Sequence, residues 1–85
     1  MEYLESQEVF LVTRRHKADL SAIGSRIRAL RGDILQEDLA GYLRIRQGQL
    51  SKIERGKAAP SVEVLLQLSE RFHRTVDWIL QGEGH

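Results

Sequence analysis

The chain has 85 residues, 41% of them hydrophobic and 29% charged, with a formal net charge of +1; that is enough for one domain and too balanced overall to name a partner. It holds no cysteine, and His16, His73 and His85 lie far apart in sequence, which excludes disulfides and thiol chemistry and leaves no metal or other cofactor expected. The longest apolar run near the N-terminus is Val9, Phe10, Leu11 and Val12, far too short for a signal-peptide core or a membrane span, so the reading is a soluble intracellular protein.

Residues 1–19 form an N-terminal extension whose structure the sequence leaves open. Glu8-Val9-Phe10-Leu11-Val12-Thr13 has strand-like composition, but a lone strand needs a partner, and the same residues suit the start of a helix. From Asp19 the pattern is helical. Asp19 is a good N-cap, and Leu20, Ile23, Ile27 and Leu30 recur at spacings of three and four, so a first helix is predicted over 20–31. Gly32-Asp33 breaks it. A second helix follows over 36–43 with Leu39, Ala40 and Leu43 inward, then a short break at Arg44-Ile45. A third covers 47–55 with Leu50 and Ile53 on its apolar face, and Gly56 suits the position after its end. Pro60 disfavours helix at Ala59 and closes the following loop. Ser61 caps a fourth helix in which Val62, Leu65, Leu66, Leu68 and Ser69 follow a helical period. After a connector at His73-Arg74, Thr75 caps a short fifth helix over 76–80 with Trp78 and Ile79 as core candidates. The unit 20–82 is therefore all-helical, with residues 83–85 as a tail.

Charge is unevenly placed. Between residues 22 and 57 there are eight Lys/Arg (Arg26, Arg28, Arg31, Arg44, Arg46, Lys52, Arg55, Lys57) against four acids (Asp33, Glu37, Asp38, Glu54), a local balance of +4, while the segments on either side are mildly acidic. A basic middle suits a polyanion. The same stretch contains two short helices joined by a tight break. Close crossing of such helices needs a small residue, which Ala40 supplies, and apolar knobs, which Leu39, Ile45, Leu50 and Ile53 supply. The outer face of the second helix is then Gln47, Gln49, Ser51, Lys52 and Arg55, amide and cationic groups of the kind that pair with base edges in a major groove.

Four stretches in order carry a family resemblance: Ile23-Gly24-Ser25-Arg26-Ile27-Arg28-Ala29-Leu30-Arg31, Leu35-Gln36-Glu37-Asp38-Leu39-Ala40, Leu50-Ser51-Lys52-Ile53-Glu54-Arg55-Gly56-Lys57 and Val76-Asp77-Trp78-Ile79-Leu80. Together they resemble the helix-turn-helix domain of the phage-repressor or xenobiotic-response-element class of bacterial regulators. The resemblance implies a five-helix, lambda-repressor-like DNA-binding domain. It places Arg46, Gln47, Gly48 and Lys52 on the base-reading face, Gln36, Ser51, Arg55 and Lys57 on DNA phosphates, and Arg31 with Glu54 in a structural ion pair. Arg46 stands where the family usually has a capping Ser or Thr, and its role is open between base, phosphate and solvent. Two other positions depart from the family: Arg44 replaces a turn glycine, and Gly48 replaces a side chain. The connection between Arg31 and Gln36 resembles a shortened variant of the family.

The function implied is sequence-specific binding of double-stranded DNA by a transcriptional regulator, a repressor acting as a homodimer on a pseudo-palindromic operator in a bacterial or phage-infected cytoplasm, on the nucleoid. Dimer-contact candidates are Val76, Ile79 and Leu80 in the fifth helix, and Val9, Phe10, Leu11 and Val12 in the extension. A protein-interaction or antitoxin-type module on the same fold is the alternative. The sequence offers no nucleophile with a base, no paired carboxylates and no phosphate loop, so no enzyme is expected.

Overall fold

A computed structural model describes residues 18–82, and the expectations for residues 1–17, including Val9, Phe10, Leu11 and Val12 as dimer contacts, lie outside them. The described residues form five helices: α1 Leu20–Arg31, α2 Gln36–Leu43, α3 Gln47–Glu54, α4 Val62–Phe72 and α5 Val76–Gln81. None is long and apolar enough to cross a membrane. The helices begin where the sequence supplies caps. Asp19 Oδ1 accepts from the Ala22 amide at 3.0 Å, Ser61 Oγ from the Val64 amide at 3.1 Å and Thr75 Oγ1 from the Trp78 amide at 3.0 Å, each satisfying one of the amides that a helix start leaves without a partner.

The chain wraps around α3, which lies against both α1 and α2; α5 joins α1 to α4, and α4 returns to α2. Ile23 and Ile27 from α1, Leu39, Ala40 and Leu43 from α2, Leu50 and Ile53 from α3, Val64, Leu65 and Leu68 from α4 and Ile79 from α5 make one core, with Leu20, Leu30, Ile34, Ile45, Phe72 and Trp78 packed at its edge. In α4 the inward row differs from the expected one. Val62 and Leu66 are 67% and 57% exposed, and Val64 takes the place expected of them. Apolar residues occur on more than one face of this helix, so its period alone does not choose the face that packs. Trp78 also sits at the rim rather than at the centre, with the Arg74 guanidinium 4.1 Å from its ring centroid, a cation–π arrangement.

The ends of α2 and α3 use one device with different residues. At α3 the Lys57 amide bonds to the Lys52 carbonyl at 2.8 Å and the Gly56 amide to Ile53 at 3.1 Å; at α2 the Ile45 amide bonds to Ala40 at 3.0 Å and the Arg44 amide to Gly41 at 3.1 Å. Both are Schellman closures, which put one residue in the left-handed region. Gly56 occupies it at φ 76°, and Arg44 at φ 61° and ψ 40°, as its place in the expected turn requires. A β-carbon there is disfavoured by about 1–2 kcal/mol, partly offset by the extra freedom glycine has when unfolded. Arg44→Gly is expected to raise stability by about 1 kcal/mol, seen as a melting temperature higher by about 4–8 °C for a domain of this size. An unchanged or lower melting temperature would show that the Arg44 side chain contributes a compensating contact.

Candidate nucleic-acid interface

The outward face of α3 follows from its inward one. Leu50 and Ile53 are buried, each 1% exposed or less. At about 100° per residue, Gly48 and Lys52 lie opposite them, with Ser51 beside them and Gln47 and Gln49 at the two flanks; Gln47, Gly48, Gln49 and Lys52 are exposed, as is Arg55 just past the end, and Ser51 is half-buried. Arg46 and Lys57 flank the helix, both exposed, and Arg55 Nε donates to Ser51 Oγ at 3.2 Å. The acid in this stretch, Glu54, is turned inward with its side chain 5% exposed, so the face is left with cations and amides.

Glu54 anchors a hydrogen-bonded chain that runs to that face. Arg31 from α1 grips it with two nitrogens, Nε to Oε2 at 2.7 Å and Nη2 to Oε1 at 3.0 Å, while Arg31 Nη1 donates to the Ile34 carbonyl at 2.8 Å. The hydrogen bond to Glu54 raises the Arg31 pKa above its ordinary value against the opposing effect of burial, so the guanidinium stays charged. Gln36, the first residue of α2, donates from Nε2 to the same Glu54 Oε1 at 2.9 Å, and its Oε1 accepts from Gln47 Nε2 at 3.3 Å. The expected ion pair is therefore also the base of a line that fixes the amide orientation of Gln36 and, through it, of Gln47. A residue's place in sequence assigns it to a face, whereas this linkage depends on three helix starts and ends meeting, which spacing does not reveal.

Gln36 and Gln47 are also the first residues of the two helices that lack a side-chain cap, since Leu35 and Arg46 occupy the cap positions without such a bond. Their first amides are left for a partner from outside. Glu37 and Asp38 in the first turn of α2 already complement its positive end, while the first turn of α3 carries no acid, so α3 is the more open of the two to an anionic group. Among the expected dimer contacts, Ile79 is 0% exposed inside the domain's own core and presents no side-chain surface to a second chain. Val76 and Leu80 are half-buried.

One structural residue carried no expectation of its own. Gly24, inside α1, lies where that helix crosses α3, and a β-carbon there would stand 2.6 Å from the Glu54 carbonyl oxygen and also collide with that of Ile53. Ala40, the small residue expected where α2 crosses α3, is buried, and Gly24 marks a further close crossing, that of α1 with α3. The available signal was a glycine in the interior of an otherwise regular helix.

Residues 26–79 match the helix-turn-helix family. Among solved structures, the P22 c2 repressor protein, crystallised with synthetic operator 9T, is similar at 33% identity and a TM-score of 0.67 over 72% of this chain and 96% of that one. The restriction-modification controller protein C.AhdI from Aeromonas hydrophila is similar at 26% identity and TM-score 0.64, covering 73% of this chain and 97% of that one. The clp gene regulator ClgR from C. glutamicum is similar at 27% and 0.62, covering 75% and 86%. No curated protein matches the chain. The chain belongs to the helix-turn-helix family of DNA-binding regulators, and its five helices have the arrangement of the phage-repressor DNA-binding domain.

Proposed function

We propose that this chain is a transcriptional regulator that binds double-stranded DNA sequence-specifically with α3 in the major groove, as a repressor on a pseudo-palindromic operator. The observation that carries the reading is the Glu54–Gln36–Gln47 line, which holds two amide side chains in fixed orientation at the adjoining, uncapped starts of α2 and α3. In this reading residues 20–82 are the binding unit, and residues 1–19 and 83–85 lie outside it. Gln47 and Lys52 read base edges, with Arg46 beside them. Gln36, Ser51, Arg55 and Lys57 hold phosphates. A single recognition helix reads only a few base pairs, so two copies act together, with Val76 and Leu80 on α5 as the contact surface of the described unit. The place of action is the bacterial or phage-infected cytoplasm. Support comes from the similar P22 c2 repressor, which is known in complex with an operator.

Retention from a random pool of duplexes tests the reading. The expected result is enrichment of an inverted repeat, with affinity falling as salt rises by a log–log slope of about −0.9 per phosphate contact. Gln47→Ala and Lys52→Ala are each expected to change the enriched sequence at one position, by about 1–3 kcal/mol of lost discrimination. Gln36→Ala is expected to weaken all sequences through the lost phosphate contact and also to relax the preference at the position Gln47 reads, because Gln47 is aligned through Gln36. If no sequence is enriched at low salt, specific DNA recognition by this chain is wrong and a protein-interaction role takes its place.

A further inference from the structure

The last turn of α5 carries no basic residue, although the carbonyls at a helix end lack partners and hold partial negative charge. Arg26, in the middle of α1, brings a cation to it. Its Nε donates to the Ile79 carbonyl and its Nη2 to the Leu80 carbonyl, both at 2.8 Å. The Gly82 amide donates to the Trp78 carbonyl at 2.8 Å, so three successive carbonyls at the end of α5 are satisfied. Gly82 lies against the guanidinium: its φ is 91°, and a β-carbon there would stand 3.1 Å from Arg26 Nη1. Two N–H groups of one rigid fork, set on two successive carbonyls, fix both the position and the rotation of the helix end. A single ammonium would not.

Arg26 is two residues from Gly24, where α1 meets the backbone of α3 without room for a methyl. One short piece of α1 therefore holds α3 by backbone contact and α5 by its guanidinium. The contact surface read above on α5 is Val76 and Leu80, and the Leu80 carbonyl is one of the two that Arg26 grips. Helix α4 also packs on α5, but through apolar side chains of the core, and apolar burial is non-directional. The directional link between the outward helix and the pairing helix is the Arg26 clasp.

We propose that Arg26 is a positioning residue: by clasping the end of α5 it sets how far apart, and at what angle, two paired copies hold their α3 helices, and so which half-site spacing the regulator accepts. This inference rests on the DNA-binding and pairing reading above and deepens it. Side chains on α3 select the bases of each half-site, and the clasp selects the distance between half-sites.

The test uses the full chain and an enriched inverted repeat. Its spacer is lengthened or shortened by one base pair, which moves one half-site by about 3.4 Å and turns it by about 35°, and an isolated half-site is measured beside it. The unmodified chain is expected to lose at least about ten-fold in affinity at either altered spacing, because both copies no longer engage together. Arg26→Lys is expected to bind the isolated half-site as the parent does, to bind the original spacing less tightly, and to show a spacing penalty of about three-fold or less. Affinities are compared at a temperature where circular dichroism shows both chains folded. Should Arg26→Lys not fold, Gly82→Ala, which crowds the guanidinium from the end of α5, decides in its place with the same expected result. An Arg26→Lys chain that keeps the full spacing penalty overturns the proposal. So does an equal loss at every spacing and on the isolated half-site, which marks a contact that serves the fold alone. Enrichment of a sequence with no second half-site, or indifference of the unmodified chain to spacing, overturns the proposal and leaves DNA binding standing. Failure to retain any duplex removes both together.

Discussion

Gly24→Ala is expected to destabilise the domain by at least about 3 kcal/mol, the upper range for overpacking a core site, and to lower the melting temperature by about 12–24 °C. The atoms that the new methyl would strike are backbone carbonyls of α3, at Ile53 and Glu54, and backbone cannot rotate out of the way as a side chain can. Relief requires α1 and α3 to separate. Separation would strain the Arg31–Glu54 pair, which spans the same crossing, and would disturb the Schellman closure, in which the Ile53 carbonyl accepts from Gly56 at 3.1 Å. For a domain whose whole stability is of order 5–15 kcal/mol, that is a large fraction. Gly41→Ala is the control, because the β-carbon there meets nothing within 4 Å and the helix gains propensity. Urea denaturation of both variants should move in opposite directions. A Gly24→Ala chain as stable as the parent would mean that the two helices are not held at this distance.

The second large effect is expected at Glu54. Glu54→Ala removes the acceptor of three hydrogen bonds and leaves the Arg31 guanidinium, 12% exposed, without its counter-charge. Breaking one side of such a pair typically costs about 3–5 kcal/mol when it is buried, and the partial exposure puts this one near the lower figure. Replacing both partners with apolar residues of similar size, Arg31→Met with Glu54→Leu, is expected to restore most of that stability, because no charge is then left unpaired. DNA affinity is expected to stay low in the double variant, by about ten-fold or more, since Gln36 still lacks the acceptor that orients it and Gln47 is aligned through Gln36. Urea denaturation and duplex affinity of the parent, the two single variants and the double variant separate the two roles. If affinity returned along with stability, Glu54 would serve the fold alone.

Much of the fold is legible in the sequence because local signals agree. Asp19, Ser61 and Thr75 cap helices that start just after them, and the spacing of Ile23 and Ile27, and of Leu50 and Ile53, sets the buried faces of α1 and α3. The family resemblance puts Arg44 in the place of a turn glycine, and its φ of 61° is the left-handed conformation that such a glycine serves. The α4 register is less legible: Val62, Val64, Leu65, Leu66 and Leu68 offer more apolar surface than one face can hold, and contact with α2 and α5 selects Val64, Leu65 and Leu68. The crossing at Gly24 involves residues about thirty apart in sequence and two backbones, so no pattern within α1 measures it. For the candidate interface, residue types and faces can be read from spacing, but the coupling of Gln36 to Glu54 cannot. It exists only once the start of α2, the start of α3 and the end of α3 come together.

The exposed positions of α3, namely Gln47, Gly48, Gln49 and Lys52, lie outside the core, while the crossing of α1 over α3 is set by backbone contact at Gly24. Residues that set the tilt of the helix and residues that face outward are therefore different residues. A lineage carrying this domain can exchange its outward side chains one at a time and acquire new targets while inheriting the scaffold unchanged. Drift at Gly24 or Gly56 would be removed by selection for folding before any target was met. Diversity among descendants should accordingly gather on one side of one short helix.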